Sequence, residues 1–126
     1  MPNHLHVLLR VTDKSPNVPK LVQNGKRFLA YDIVRLLAEE GRTDLLDFFK
    51  ANAQTKNGAI HKVFEDGYDS LVIQSRKMFL EKLNYIHNNP CALKWQLADC
   101  AEIYKHSSAA NYAFGNGFYK VEVVDF

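Results

Sequence analysis

The chain has 126 residues with a formal net charge of +2, and 47% of its residues are hydrophobic. This length predicts a single domain over residues 1–126 with a real core, and the weak charge gives no compositional case for nucleic acid. Its apolar runs fall short of the roughly 20 residues of a membrane span, and residues 1–30 lack a secretory signal pattern. Cys91 and Cys100 lack metal-site spacing and predict reduced thiols in a cytoplasmic protein.

The first predicted element is a strand over residues 4–11, a run rich in leucine and valine. Side chains alternate along a strand, so His4 and His6 point to the same face. They are then about 7 Å apart along the strand and can converge on one metal ion. A pair of histidines that is simply packed or exposed, with no metal, is the open alternative.

A loop over residues 12–17 leads into a long predicted helix from Val18 to Glu40, capped by Asn17. Gly25 falls on its apolar stripe and costs about 1 kcal/mol relative to alanine, unless the helix needs a close approach to the sheet there. The stripe is formed by Val18, Leu21, Val22, Phe28, Leu29, Ile33, Leu36 and Leu37.

The opposite face of this helix alternates cations with an aromatic ring. Residues 14–35 hold five cations against one carboxylate, a local charge of +4 in a chain of net charge +2. Cations bind phosphates and an aromatic ring stacks on a base, so the face suits single-stranded DNA, although an ordinary solvated helix face is the alternative. The DNA-binding candidates on it are Lys20, Arg27, Tyr31 and Arg35.

The middle of the chain predicts shorter elements. Gly41 ends the long helix, and Thr43 caps a short one. A loop follows at residues 54–60, and residues 61–73 are predicted to be extended on both sides of an Asp66–Gly67 turn.

The strongest helical pattern of the second half runs from Arg76 to Asn88, with Ser75 as its cap. Pro90 stops it, because the residue before a proline is pushed out of the α region. Tyr85 and Asn89 are four residues apart and project from the same side, and Lys82 lies one turn earlier. The helix therefore gathers a phenol, an amide and an ammonium group at one end, away from its apolar stripe of Phe79, Leu83 and Ile86.

A loop with short helical turns is predicted over residues 91–104, with Trp95 tucked in. Ser107 or Ser108 starts a brief helix through Tyr112, and residues 119–124 alternate as a last strand. The order of strand, helices, strands, helix and strand predicts an α+β fold in which helices pack on an antiparallel sheet.

Two stretches together resemble the single-tyrosine transposases. Residues 1–6 are similar to their histidine–hydrophobe–histidine (HUH) strand, and residues 82–90 to their catalytic-tyrosine helix. The most similar group is that of the REP-associated tyrosine transposases, which Phe64–Tyr68 and His106–Tyr112 also resemble. The resemblance covers nearly the whole chain, in the family's order.

The resemblance implies a ferredoxin-like, RRM-like HUH core and a DNA transposase of mobile elements. Tyr85 would be the nucleophile, and His4, His6 and Asn89 would bind a divalent metal, Mg²⁺ or Mn²⁺. Imidazole ligands favour Mn²⁺ by affinity, whereas cellular abundance favours Mg²⁺. Lys82 would neutralise phosphate charge, or be an ordinary solvated lysine. All three ligands are neutral, so we expect weak metal binding without DNA.

The implied substrate is single-stranded DNA with a hairpin, and a homodimer is expected. The family has a strand–helix–strand unit before the HUH strand, which we expect to be missing here, leaving an unpaired edge. Two alternatives stay open at this point. The chain is either a DNA-binding remnant that no longer cuts, or a small metalloprotein in which His4 and His6 serve structure alone.

Overall fold

The computed structural model describes residues 1–14, 17–53, 58 and 60–124. Its described residues form four α-helices: α1 (Val18–Glu39), α2 (Thr43–Ala51), α3 (Arg76–Asn88) and α4 (Ala109–Phe114), with 3-10 helices at Asn89–Cys91 and Ala101–Ile103. They divide into two compact units, one of residues 1–10 and 70–126, the other of residues 11–69. None of the helices found there is long and apolar enough to span a bilayer. A single domain over residues 1–126 stays a prediction.

The predicted α+β fold with an antiparallel sheet is wrong for the described residues, which contain helices and no β-strand. The three segments predicted as strands or extended, residues 4–11, 61–73 and 119–124, form no β-ladder there. Alternation of apolar and polar side chains favours an extended backbone, but a strand also needs a neighbouring backbone to satisfy its N–H and C=O groups. The two end segments are joined instead by an exposed salt bridge between Arg10 and Glu122, 2.5 Å long. An exposed pair of this kind contributes about 1 kcal/mol at most.

In the second unit, the predicted long helix is confirmed as α1. The Asn17 side chain accepts a hydrogen bond from the Lys20 backbone N–H at 3.2 Å, as a cap does. Gly41 follows the helix with φ +67°, a left-handed conformation that glycine adopts without strain. Thr43 is the first residue of α2, so its predicted capping role is wrong by one position. Arg42 occupies the cap position and its guanidinium binds the Asp44 carboxylate.

The apolar stripe of α1 is half-exposed, and none of its residues is buried. A Cβ placed on Gly25 would meet no atom within 4 Å. A close approach of a neighbouring element therefore does not explain this glycine. Of the predicted loops, Ser15, Pro16, residues 54–57 and residue 59 lie outside the described residues. The Asp66–Gly67 turn is described, and Gly67 has φ +71°.

The core of the first unit is built on α3. The Ser75 hydroxyl accepts a hydrogen bond from the Met78 backbone N–H at 3.2 Å, which confirms the predicted cap. Phe79 and Leu83, one turn apart on the buried face, are 6% and 7% exposed. They share this core with Ala101 and Ala109, from the second 3-10 helix and from α4.

The end of α3 differs from the prediction in one respect that matters for function. The helix ends at Asn88 as predicted, but Asn89 stays in the α region (φ −55°, ψ −41°), and the chain continues through Pro90 as a 3-10 helix. Proline fits the first turn of a helix because it needs no N–H donor there. Asn89 thus remains about one helical turn beyond Tyr85.

Candidate metal and tyrosine site

The side chains of His4, His6 and Asn89 meet at one point of the first unit. The Asn89 Nδ2 atom lies 3.4 Å from His4 Nε2 and 3.1 Å from His6 Nε2. The two imidazole rings face each other edge to face, with centroids 4.9 Å apart. The structure therefore brings together the three residues that the sequence analysis assigns to a metal.

Hydrogen bonds hold the His4 ring at both of its nitrogens. With its Nδ2 atom turned toward the rings, the Asn89 amide can only donate, so in this orientation the Nε2 atoms of His4 and His6 accept. His4 Nδ1 donates in turn to the side-chain oxygen of Asn3 at 2.7 Å. Loss of water around the ring lowers the pKa of His4 below its ordinary value of 6.5, with smaller contributions from His6, the amino terminus and Lys94. A neutral His4 is the form that binds a metal.

These three side chains fit a divalent cation. The oxygen and nitrogen of an amide exchange places by a half-turn, which would direct Asn89 Oδ1 toward the two imidazole nitrogens. Neighbouring ligand atoms of one metal ion lie about 3 Å apart when each bond is about 2.1 Å, and the two distances to Asn89 are of this size. The described residues hold no group of three or more His, Cys, Asp or Glu side chains that could bind a metal ion. A site here depends on an amide as its third ligand.

The proposed nucleophile adjoins this cluster. The Tyr85 ring lies 5.6 Å from the His6 ring, centroid to centroid, with an angle of 76° between the planes. Tyr85 is 58% exposed, so its side chain is accessible to a large substrate. Lys82 is also exposed and lies one turn earlier on α3. A phenol, an ammonium group and two imidazoles thus lie on one exposed surface.

A separate groove of about 260 Å³ lies on another side of α3, where Asn84, Glu102 and Tyr112 line it. His87 faces this side, is buried, and has its Nε2 within 2.9 Å of the Ser108 hydroxyl oxygen. Its ring packs edge to face on Tyr112 with centroids 5.3 Å apart. Burial lowers the pKa of His87. These contacts give His87 a structural role, away from Tyr85.

The four DNA-binding candidates of α1 belong to the second unit, where they share one face of the helix. Tyr31 is 64% exposed, and the Arg27 guanidinium lies over the Phe28 ring at 4.9 Å from its centroid. Lys20 is exposed. Arg35 binds Glu39 at 3.0 Å and Asp32 at 3.5 Å, and its hydrogen bond to Glu39 raises its pKa. Two carboxylates therefore offset the charge of Arg35, which makes it the weakest of the four candidates for binding a phosphate.

Sequence reasoning missed two residues at the site. Asn3 accepts the His4 Nδ1 proton, and Trp95 packs against the His4 ring with centroids 5.5 Å apart. Trp95 was expected to be tucked in, but its neighbour was unknown. No local pattern in the sequence indicates this contact, because it depends on how the chain folds back after Asn89.

No protein-family model, curated protein or solved structure matches the chain. The chemistry of this site is therefore inferred from the geometry of its own residues.

Proposed function

We propose that the protein is a metal-dependent, single-tyrosine DNA transposase that cuts and rejoins single-stranded, hairpin-bearing DNA. One observation carries the proposal: the Nε2 atoms of His4 and His6 converge on the side-chain amide of Asn89 beside an exposed tyrosine. Two imidazoles and one amide form a ligand set that contains no carboxylate. Such a set suits a cation whose coordination shell is completed by an anionic substrate. A structural zinc site, by contrast, usually has four ligands that all come from the protein.

His4, His6 and Asn89 would hold the cation, with Mn²⁺ favoured over Mg²⁺ by affinity. When bound, the cation would polarise the scissile phosphate and offset the charge that develops on it. The His4–Asn3 hydrogen bond fixes the ring so that its Nε2 lone pair stays directed to the cluster. Lys82 would neutralise charge on the neighbouring phosphate.

Tyr85 would act as the nucleophile. Its hydroxyl oxygen forms a bond to phosphorus while the bond from phosphorus to the 3′ oxygen breaks, and the phenolic proton is transferred in net terms to that oxygen. The products are a 5′-phosphotyrosine and a free 3′-hydroxyl. The covalent link keeps the phosphodiester energy, so attack by a new 3′-hydroxyl on the phosphotyrosine rejoins DNA without ATP. Water is not required as a nucleophile in either step.

The α1 face with Lys20, Arg27 and Tyr31 would bind the strand outside the cutting site. The free thiols of Cys91 and Cys100 suit a protein of the reducing cytoplasm. A homodimer is proposed from the segment of residues 4–11, whose apolar side chains Leu5, Val7, Leu9 and Val11 are all more than half exposed. A monomer in light scattering would remove the argument for that dimer.

A second candidate is a DNA-binding protein that does not cut. It is favoured by the absence of a sheet around His4 and His6 in the described residues, since the family fold would fix these histidines between paired strands. The test is incubation with Mn²⁺ and labelled single-stranded hairpin DNA, followed by a denaturing gel. The transposase predicts a labelled protein band that Tyr85→Phe lacks. Filter retention of DNA without that band would support the second candidate.

A further inference from the structure

The loop of residues 89–97, which follows α3, contacts the histidines of residues 4–6 at two points. At its start, Asn89 contacts His4 and His6. Near its end, the Trp95 indole lies against His4, with ring centroids 5.5 Å apart and planes inclined by 55°. The Lys94 ammonium lies 5.0 Å from the centroid of the Trp95 ring. One short loop therefore provides both a proposed ligand and a wall for the neighbouring ligand.

Backbone hydrogen bonds hold this loop in shape. The Trp95 N–H donates to the Ala92 carbonyl at 2.8 Å, and the Leu97 N–H donates to the Pro90 carbonyl at 2.9 Å. Gln96, directly after the tryptophan, has φ +46°, which costs a residue with a Cβ of order 1 kcal/mol. A strained residue is kept where the surrounding contacts require its conformation. Here that conformation directs the chain back after Trp95.

We propose that Trp95 is a positioning residue for the metal site, which holds the His4 imidazole so that its Nε2 faces His6 and Asn89. The His4 segment is in no β-ladder among the described residues, so its backbone alone fixes the ring poorly. An imidazole turns easily about its last side-chain bond unless its faces are packed. The indole packs against the ring, while Asn3 holds Nδ1. Both restraints reduce the freedom that His4 would lose on binding a metal.

This inference rests on the proposed metal site, and the experiment separates the two. MnCl₂ is titrated into the full chain, and bound Mn²⁺ is measured by electron paramagnetic resonance, with broadening of the His4 and His6 ring signals followed by NMR. The variants are Trp95→Ala, Trp95→Phe and, as a matched control on the same loop, Leu93→Ala, whose side chain is 88% exposed. Far-UV circular dichroism checks that each variant keeps its helices.

The positioning role predicts that Trp95→Ala weakens Mn²⁺ binding by about tenfold or more, as for other residues that orient a ligand. Trp95→Phe keeps an aromatic wall and stays within about threefold of wild type, and Leu93→Ala is unchanged. If Trp95 served only to stabilise the fold, Trp95→Phe would not regain the Mn²⁺ affinity that Trp95→Ala loses.

Equal Mn²⁺ affinity in wild type and Trp95→Ala would overturn the positioning role and leave the metal site standing. No broadening of His4 or His6 in the wild type at millimolar Mn²⁺ would overturn the metal site together with the inference. A measurement without mutation covers the case in which Trp95→Ala unfolds. Wild-type protein should show nuclear Overhauser effects between the Trp95 indole and the His4 ring protons, and their absence would overturn the proposal.

Discussion

The rings of His6 and Tyr85 lie edge to face, with centroids 5.6 Å apart, although they come from opposite halves of the chain. This contact joins a proposed metal ligand to the proposed nucleophile. A phosphate held by the histidines would therefore lie close to the exposed Tyr85 side chain.

The first prediction concerns Asn89. Asn89→Ala removes the third proposed ligand and should weaken Mn²⁺ binding by about tenfold or more, a loss at least as large as that of an orienting residue. Asn89→Asp adds a negative charge to a neutral ligand set and should tighten binding to the DNA-free protein by about tenfold. Isothermal titration calorimetry measures both, with Asn88→Ala as the control. Unchanged affinity in Asn89→Ala would exclude this residue as a ligand.

The second prediction concerns the α1 face. Lys20→Ala should lower the slope of log affinity against log salt for single-stranded DNA by about 0.7, the effect of one lost phosphate contact. Tyr31→Ala should weaken binding by about 1–3 kcal/mol with little change in that slope, since it removes stacking rather than charge. Fluorescence anisotropy over a salt series measures both quantities.

Lys50→Ala is the matched control, because Lys50 is an exposed cation of the same unit that lies on α2. If its effect on the salt slope equals that of Lys20→Ala, the α1 face is not a specific binding surface.

The third prediction concerns two glycines of the second unit. Gly25→Ala should raise the free energy of unfolding by about 1 kcal/mol, because alanine favours a helix and its Cβ meets no atom within 4 Å. Gly41→Ala should lower it by about 1 kcal/mol, because φ is +67° there. Urea denaturation followed by circular dichroism checks the pair. A stabilised Gly41→Ala would contradict the left-handed helix end.

The sequence predicted those elements that depend on local chemistry. The Asn17 and Ser75 caps, the bounds of α3 and the left-handed Gly41 follow from side chains within a few residues of each helix end. The sheet was predicted wrongly. The alternating side chains of residues 4–11 and 119–124 indicate an extended backbone, but they do not indicate whether another strand pairs with it. The helical spacing of Tyr85 and Asn89 was predicted correctly, whereas the expectation that Pro90 pushes the preceding residue out of the α region was wrong, because Asn89 keeps α geometry.

Contacts made across the chain were the hardest part of the site to predict. Nothing local in residues 91–104 states that Trp95 meets His4, because that contact depends on how the loop closes. The grouping of His4 and His6 with Asn89 was suggested by the resemblance to single-tyrosine transposases, and periodicity alone does not relate the two ends of the chain.

The fourth prediction concerns His87 and pH. Its pKa is lowered by burial, so between that pKa and 6.5 the unfolded chain takes up a proton before the folded one does. The contribution of neutral His87 is therefore complete above about pH 6.5, and it is lost as the pH falls through the folded-state pKa. Urea denaturation in EDTA from pH 5 to pH 8 measures this loss.

His87→Ala should remove that pH-dependent part. It should also cost about 1–3 kcal/mol at pH 7.5, because the half-buried Ser108 hydroxyl loses its partner. A variant with the wild-type pH profile would show that another group titrates.

The role of Tyr85 as the nucleophile is tested most directly by locating the covalent product on the chain. Wild-type protein is incubated with Mn²⁺ and single-stranded hairpin DNA, the DNA is trimmed with nuclease, and the peptides are sequenced by mass spectrometry. The account predicts a 5′-phosphonucleotide on Tyr85 that disappears when both His4 and His6 are replaced by alanine. A nucleotide on another tyrosine such as Tyr31, or an adduct that survives loss of both histidines, would contradict it.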